Sequence, residues 1–247
     1  RRSSDLCNYK KFLFMISKKI EVYGRVQSVG FRPYVYNLAK KFGIKGYVKN
    51  KTSYVEILAS GEAKSIESFL EQLKDIPYPA KIDKVVVKDY KENFQDFFIL
   101  ESEETQPQFL YIPAEIKTCQ QCLHELFEPN NRRYLYPFIN CTHCGPRFTI
   151  IKNLPYDRKN TTMDVFTMCD KCQNEYNDPT HRRFHAQPNS CYECGPNIKL
   201  IDNKLKVLFD KAKNFFDIEK ILKFVVEEIL SGKIFAIKSY GGYHLVC

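Results

Sequence analysis

In the stretch IEVYGRVQSVGFRPYVYNLAKKFG, residues 20–43, the hydrophobic period changes from two to 3.6. Ile20, Val22, Gly24 and Val26 alternate with polar residues, as in a strand with one buried face. Pro33 then opens a helix whose apolar positions Tyr34, Val35, Leu38, Ala39 and Phe42 fall three to four apart, and Gly43 ends it. Working outward, residues 44–49 and 54–59 read as two strands. Ala63, Ile66, Phe69, Leu70 and Leu73 mark a second helix, and residues 82–90 and 97–100 two further strands. The order is β-α-β-β-α-β with a short fifth strand. That is the ferredoxin-like split βαβ arrangement, so the fold class is α+β.

The loop between the first strand and the first helix, residues 24–33, feeds a helix N-terminus. Such a loop gathers unpaired backbone N–H groups and the positive end of the helix dipole, which together make an anion site. Gly30 lets the backbone curl, and Arg32 adds a planar, permanently charged fork suited to phosphate. On the residues alone, Arg32 reads equally well as an anion ligand or as a solvated arginine beside a helix start.

Eight of the ten cysteines form four Cys-x-x-Cys pairs: Cys119/Cys122, Cys141/Cys144, Cys169/Cys172 and Cys191/Cys194. The block repeats with a period of 50 residues. CQQCLHELFEPNNRRYLYPFINCTHCGP (119–146) and CDKCQNEYNDPTHRRFHAQPNSCYECGP (169–196) share every cysteine, one Glu, one Pro, an Arg-Arg pair and the closing Gly-Pro. A thiolate pair on a tight turn grips half of a tetrahedral metal shell, and two pairs complete it. The spacing predicts two structural zinc sites, Cys119, Cys122, Cys141 and Cys144 in one and Cys169, Cys172, Cys191 and Cys194 in the other. Pairing crossed between the repeats remains the alternative. His124, His143, His181 and His185 lie close in sequence but are redundant where four sulfurs are present. Four pairs in register do not suit a thioredoxin-like site, and iron–sulfur ligands cluster differently.

The composition, 44% hydrophobic and 27% charged, is that of ordinary globular domains. No apolar run approaches the roughly 18 residues of a membrane span. Phe12 to Ile16 is too short for a signal-peptide core, so a reducing, cytoplasmic home is expected, in keeping with metal-bound cysteines. The net charge of +9 suggests nucleic acid, but falls to about +5 once eight thiolates and two divalent ions are counted. The lysines are also dispersed along the chain. A zinc-ribbon nucleic-acid-binding protein is therefore the second reading, with nucleic acid not the expected partner.

Residues 1–14 lack a periodic pattern and are expected to be a disordered or added extension. Residues 15–101 form the first domain, 102–118 a polar linker, and 119–200 the tandem four-cysteine domain. Residues 201–247 carry an amphipathic helix at 217–230, a strand at 234–238 and a Gly-Gly turn, too little to bury a core. They are expected to start a further domain that is incomplete here.

Two resemblances sharpen this picture. VYGRVQSVGFRP (22–33) and GYVKN (46–50) closely resemble acylphosphatases, over residues 18 to about 101. The resemblance implies that Gln27, Ser28, Val29, Gly30 and Phe31 form the phosphate-binding loop, that Arg32 binds the phosphate, and that Asn50 orients the attacking water. Ser28 stands where a glycine is expected. The segments RRYLYPFINCT (132–142), CGPRFT (144–149), PYDR (155–158) and RRFHAQP (182–188) are similar to the HypF-type hydrogenase maturation carbamoyltransferases. AIKSYGGYHL (236–245) resembles the start of that family's third, α/β YrdC-like domain, with Ser239-Tyr240 departing from Gly-Leu. The resemblance implies hydrolysis of carbamoyl phosphate to carbamate by the first domain. Beyond it, ATP-dependent carbamoyl adenylate formation and transfer to the C-terminal cysteine of a HypE-type partner are implied, with ATP and its metal in domains this chain lacks.

Overall fold

A computed structural model of the chain describes residues 15–92, 94–103, 114–239 and 241–247. The expectation for residues 1–14, and that for residues 104–113 of the linker, lie outside the described residues. The chain divides into two compact units, residues 1–113 with 153–157, and residues 114–152 with 158–247. Residues 153–157, which in sequence fall between the two cysteine repeats, belong to the first unit.

The first unit is built on a five-stranded sheet. Its elements are β1 (Met15–Arg25), α1 (Phe31–Lys41), β2 (Lys45–Asn50), β3 (Val55–Glu62), α2 (Ala63–Leu73), β4 (Lys81–Tyr90) and β5 (Phe97–Ile99). The strand order is β4-β1-β3-β2-β5. β1 runs antiparallel to β3 and β4, β2 antiparallel to β3, and the short β5 parallel to β2. This is the expected ferredoxin-like sheet with an added edge strand. Ile20 and Val22 of β1 and Gly46, Val48 and Asn50 of β2 are buried in alternation, the period that one covered sheet face requires, whereas β3, in the middle of the sheet, is buried at every position from Val55 to Gly61. Val35, Leu38 and Ala39 of α1 and Ile66, Phe69 and Leu73 of α2 supply the apolar stripes that complete this core.

One boundary differs from the sequence expectation in a way that matters for the site. The first helix starts at Phe31, not Pro33. Gly30 takes a left-handed φ of 79° and serves as the N-cap, so the chain turns two residues early. Pro33 then sits within the first turn, where its missing N–H breaks no intrahelical bond.

The second unit contains two short helices that the sequence did not signal, α3 (Gln120–Phe127) and α4 (Asp170–Asn177). Each is N-capped by the first cysteine of its repeat, Cys119 or Cys169. Beyond the repeats lie a β6–β7 hairpin (Leu200–Ile201, Val207–Phe209), α5 (Phe215–Leu230) and a β8–β9 hairpin (Phe235–Lys238, Tyr243–Val246). α5 begins at Phe215 instead of 217 because the Asn214 side chain caps it, accepting from the Asp217 N–H at 3.1 Å. β9 lies in the stretch read as a turn and apolar tail. Ile218 and Ile221 of α5 are buried with Ala212, whereas Leu222, Val226 and Leu230 stay exposed. Among the described residues, no helix is long and apolar enough to cross a membrane.

Candidate active site and metal centres

The loop from β1 to α1 is shaped by what its side chains do. Val26, Val29 and Phe31 are each at most 2% exposed, so their side chains are taken up by the core. Ser28 and Gly30 take left-handed φ values of 64° and 79°. Two such residues bracketing Val29 curl the backbone into the helix start. Its N-cap, Gly30, has no side chain to cap that start. Its first-turn N–H groups and dipole are therefore available to an anion.

Gln27 fixes the loop beside the end of β2, with Nε2 donating to the Lys51 carbonyl at 2.7 Å and to that of Tyr54 at 3.4 Å. Asn50, the last residue of β2, is 1% exposed, and its Oδ1 finds no donor among the described residues. A buried amide oxygen without a partner calls for an explanation, and a bound water is the simplest occupant. The segment after β5 runs alongside: Glu103 N–H donates to the Asn50 carbonyl at 2.9 Å, and the adjacent Ser102 Oγ accepts from Arg32 Nη1 at 3.2 Å. Arg32 and Asn50, 18 positions apart in sequence, are thus tied through the same short segment.

Arg32 is 8% exposed, so it is not the solvated surface arginine that the sequence left open. Beyond Ser102, its Nη2 donates to Asp157 Oδ1 at 2.8 Å and to the Tyr156 carbonyl at 3.5 Å. Close by, Glu103 pairs with both Lys49 and Lys51 at 2.6 Å. The Lys49 hydrogen bond, followed by that of Lys51, holds the Glu103 carboxyl down at about 2.

The eight cysteine sulfurs gather in two groups, each drawn from a single repeat: Cys119, Cys122, Cys141 and Cys144, and Cys169, Cys172, Cys191 and Cys194. No histidine joins either group among the described residues. Zinc–sulfur bonds of about 2.3 Å in a tetrahedron place neighbouring sulfurs about 3.8 Å apart. The Sγ separations are 3.8 Å for Cys119–Cys141 and Cys141–Cys144, 3.5 Å for Cys122–Cys144, and 3.8 Å for both Cys169–Cys191 and Cys191–Cys194. The residues therefore fit four-coordinate zinc, with no position left for water or substrate.

The paired arginines shared by the repeats cross between them. Arg182 Nη2, from the second repeat, donates to Cys119 Sγ at 3.1 Å and Cys122 Sγ at 3.0 Å in the first, and Nη1 to Glu125 at 2.7 Å. Arg183 also pairs with Glu125, and its Nε donates to the Asn140 carbonyl at 3.0 Å. Reciprocally, Arg132 Nη2 donates to Cys172 Sγ at 2.8 Å. Arg133 pairs with Glu175, and its Nε donates to the Ser190 carbonyl at 2.9 Å. Burial pushes the Glu175 carboxyl up, but the hydrogen bond and charge of Arg133 override it and hold the group at about 2. The shared Glu and Arg-Arg were visible as repeated letters. Their exchange between repeats was not, because identical spacing serves equally for contacts within a repeat.

Comparison with known proteins matches these elements. The acylphosphatase family matches residues 18–99, and the HypF finger matches residues 118–151 and 168–201, leaving residues 152–167 in neither. A probable carbamoyltransferase HypF of Methanocaldococcus jannaschii is 50% identical over 93% of this chain, which covers 29% of that protein. An acylphosphatase of Archaeoglobus fulgidus is 42% identical over 34% of this chain, with 96% of its own length covered. A crystal structure of full-length HypF in the phosphate- and nucleotide-bound form is 42% identical, with a TM-score of 0.83 over 94% of this chain and 29% of that one. The chain thus spans under a third of the HypF relatives. An acylphosphatase matched nearly end to end, followed by both halves of the HypF finger at the predicted cysteines, places the chain in the HypF family.

Proposed function

We propose that the first unit hydrolyses carbamoyl phosphate, as the opening step of a carbamoyltransferase serving [NiFe]-hydrogenase maturation. The observation that carries this reading is the corner where an uncapped helix N-terminus, the buried Arg32 and the orphaned Asn50 Oδ1 are tied together. The loop amides of residues 27–31 and the Arg32 guanidinium bind the phosphoryl oxygens and stabilise the charge that grows on them in the transition state. Asn50 accepts a hydrogen bond from the water and aims its oxygen at phosphorus, opposite the leaving group. The new bond joins water oxygen to phosphorus. The phosphorus–oxygen bond to the carbamoyl group breaks, and carbamate leaves with its electron pair. The proton lost by the water passes to the phosphate produced. Zinc at the two cysteine tetrads stabilises the fold of the second unit and takes no part in the reaction. The relatives' name, carbamoyltransferase, supports a later transfer of the carbamoyl group; its ATP-dependent adenylation and a HypE-type acceptor belong to the same proposal, on parts of the family's proteins that this chain does not span.

The test is phosphate release from carbamoyl phosphate and acetyl phosphate. Arg32→Ala and Asn50→Ala are each expected to lower kcat/KM by roughly 100-fold or more, with unchanged far-ultraviolet circular dichroism. Wild-type rates in folded Arg32→Ala would end the proposal. A nucleic-acid function is not favoured. Six arginines of the cysteine block, Arg132, Arg133, Arg147, Arg158, Arg182 and Arg183, bind carboxylates, sulfurs or carbonyls of the chain itself.

A further inference from the structure

Three acceptors converge on the Arg32 guanidinium, and two of them come from the segment 153–157. Asp157 Oδ1 lies 2.8 Å from Nη2 and the Tyr156 carbonyl 3.5 Å from the same nitrogen, while Ser102 Oγ lies 3.2 Å from Nη1. Among the described residues none of these acceptors engages Nε. Asp157 is 125 positions from Arg32 and lies in the stretch that neither the acylphosphatase nor the finger family matches. A carboxylate on this arginine admits two opposite roles. It either occupies the seat of the phosphoryl group and must be displaced, or it grips the fork and orients the remaining N–H donors. Anchoring decides between them. Tyr156 is 3% exposed and Pro155 is buried, and contacts assign the segment to the first unit. A plug that must leave with every turnover would expose that apolar surface each time.

We propose that Asp157 is a positioning residue for acyl-phosphate hydrolysis, fixing the plane of the Arg32 guanidinium. It does not touch substrate. The inference rests on the reading of Arg32 as the phosphate ligand, and deepens it. An arginine side chain carries several rotatable bonds, and a phosphate-binding fork is effective only when its plane is set before the anion arrives. Ser102 alone holds one nitrogen through a neutral acceptor. Asp157 adds a charge-assisted bond on the other, which fixes the remaining rotation.

The experiment is a double-mutant cycle on the chain, with phosphate release from acetyl phosphate and binding of inorganic phosphate as readouts. Asp157→Ala is expected to lower kcat/KM about tenfold and to weaken phosphate binding. Asp157→Asn, which keeps an oxygen acceptor, is expected to recover most of the loss. Arg32→Ala/Asp157→Ala is expected to be no worse than Arg32→Ala, because Asp157 acts only through Arg32. A rise in kcat/KM or tighter phosphate binding in Asp157→Ala shows a plug and overturns the proposal. Rates within twofold of wild type, or additive losses in the double variant, overturn it as well. If Asp157→Ala fails to fold, Asp157→Glu, which keeps the charge but moves it by one methylene, carries the same expected loss. Activity surviving in Arg32→Ala would instead sink the hydrolase reading itself, so the two failures are distinct.

Discussion

At the scale of single residues, the site depends on backbone positions as much as on charged groups. Gly46 on β2 has a φ of 137°, and a Cβ there would lie 1.9 Å from the Leu58 carbonyl oxygen. That oxygen belongs to β3, so a side chain would push β2 from its partner, four residues before Asn50. Gly46→Ala is expected to destabilise the first unit by about 2–4 kcal/mol, read as a lower urea midpoint at unchanged slope. A loss below about 0.5 kcal/mol would show that the strands part without cost. Ser28 poses a related question. The sequence showed serine where the family resemblance expects glycine, and the structure shows why glycine suits: the φ is 64°, a region a side chain resists. Arg32 and Asn50 were singled out through short motifs that resemble acylphosphatases. Asp157 was not, since nothing in a single sequence announces that position 157 will meet position 32. Only the fold brings that pair together.

At the scale of elements, the strands and helices of the first unit were readable because each buries one face against a common core, which imposes a period. Ile20 and Val22 alternate, Ile66, Phe69 and Leu73 recur at helical spacing, and both patterns stand out from the polar residues between them. The short helices α3 and α4 had no such signal, because metal-site geometry rather than a wide apolar stripe defines them. Each buries a single residue, Cys122 or Cys172. Their stability therefore depends on the sulfur tetrads and on the arginines that cross to them. Four thiolates around a divalent ion leave a net charge of −2, and Arg182 offsets part of it at the first tetrad. Hydrogen bonds to metal-bound sulfur lower its charge and hold its orientation, and losing such an outer partner typically costs 10–100-fold in metal affinity. Arg182→Ala is thus expected to speed zinc release from the tetrad containing Cys119 by roughly 10–100-fold, while the tetrad of its own repeat, containing Cys172, changes far less. Cadmium NMR of the substituted protein, with a chelator competing, resolves the two sites. Faster release from the tetrad of the second repeat instead would contradict the crossed contacts.

At the scale of the whole molecule, two compact units share one chain, and the chain passes from the second unit into the first and back at residues 153–157. The sequence divided the chain by its motifs, so these five residues were counted with the cysteines around them. Contacts place them otherwise, with Tyr156 buried and Asp157 on Arg32. On the second unit's side, residues 150–152 and 160–162 pair antiparallel, with Lys152 N–H to Asn160 O at 2.8 Å and Thr162 N–H to Ile150 O at 2.7 Å. These bonds close the loop whose tip carries Asp157 and limit the backbone freedom the tip would otherwise regain. On the proposed mechanism, metal binding reaches the phosphate site along this covalent path, through the loop that carries Asp157. Small four-cysteine domains lose their fold when the ion is withdrawn, because few apolar contacts remain to hold them. Chelation is therefore expected to melt the second unit, leave the first folded, and lower phosphate release toward the level of Asp157→Ala, about tenfold below the metal-loaded protein. The same treatment of Asp157→Ala is expected to change its rate by less than about twofold, because the group the metal holds in place is already gone. Circular dichroism and phosphate release, followed together through zinc removal and return, check this. If both proteins lost activity in equal proportion, zinc would be stabilising the first unit as a whole, not the loop that carries one carboxylate.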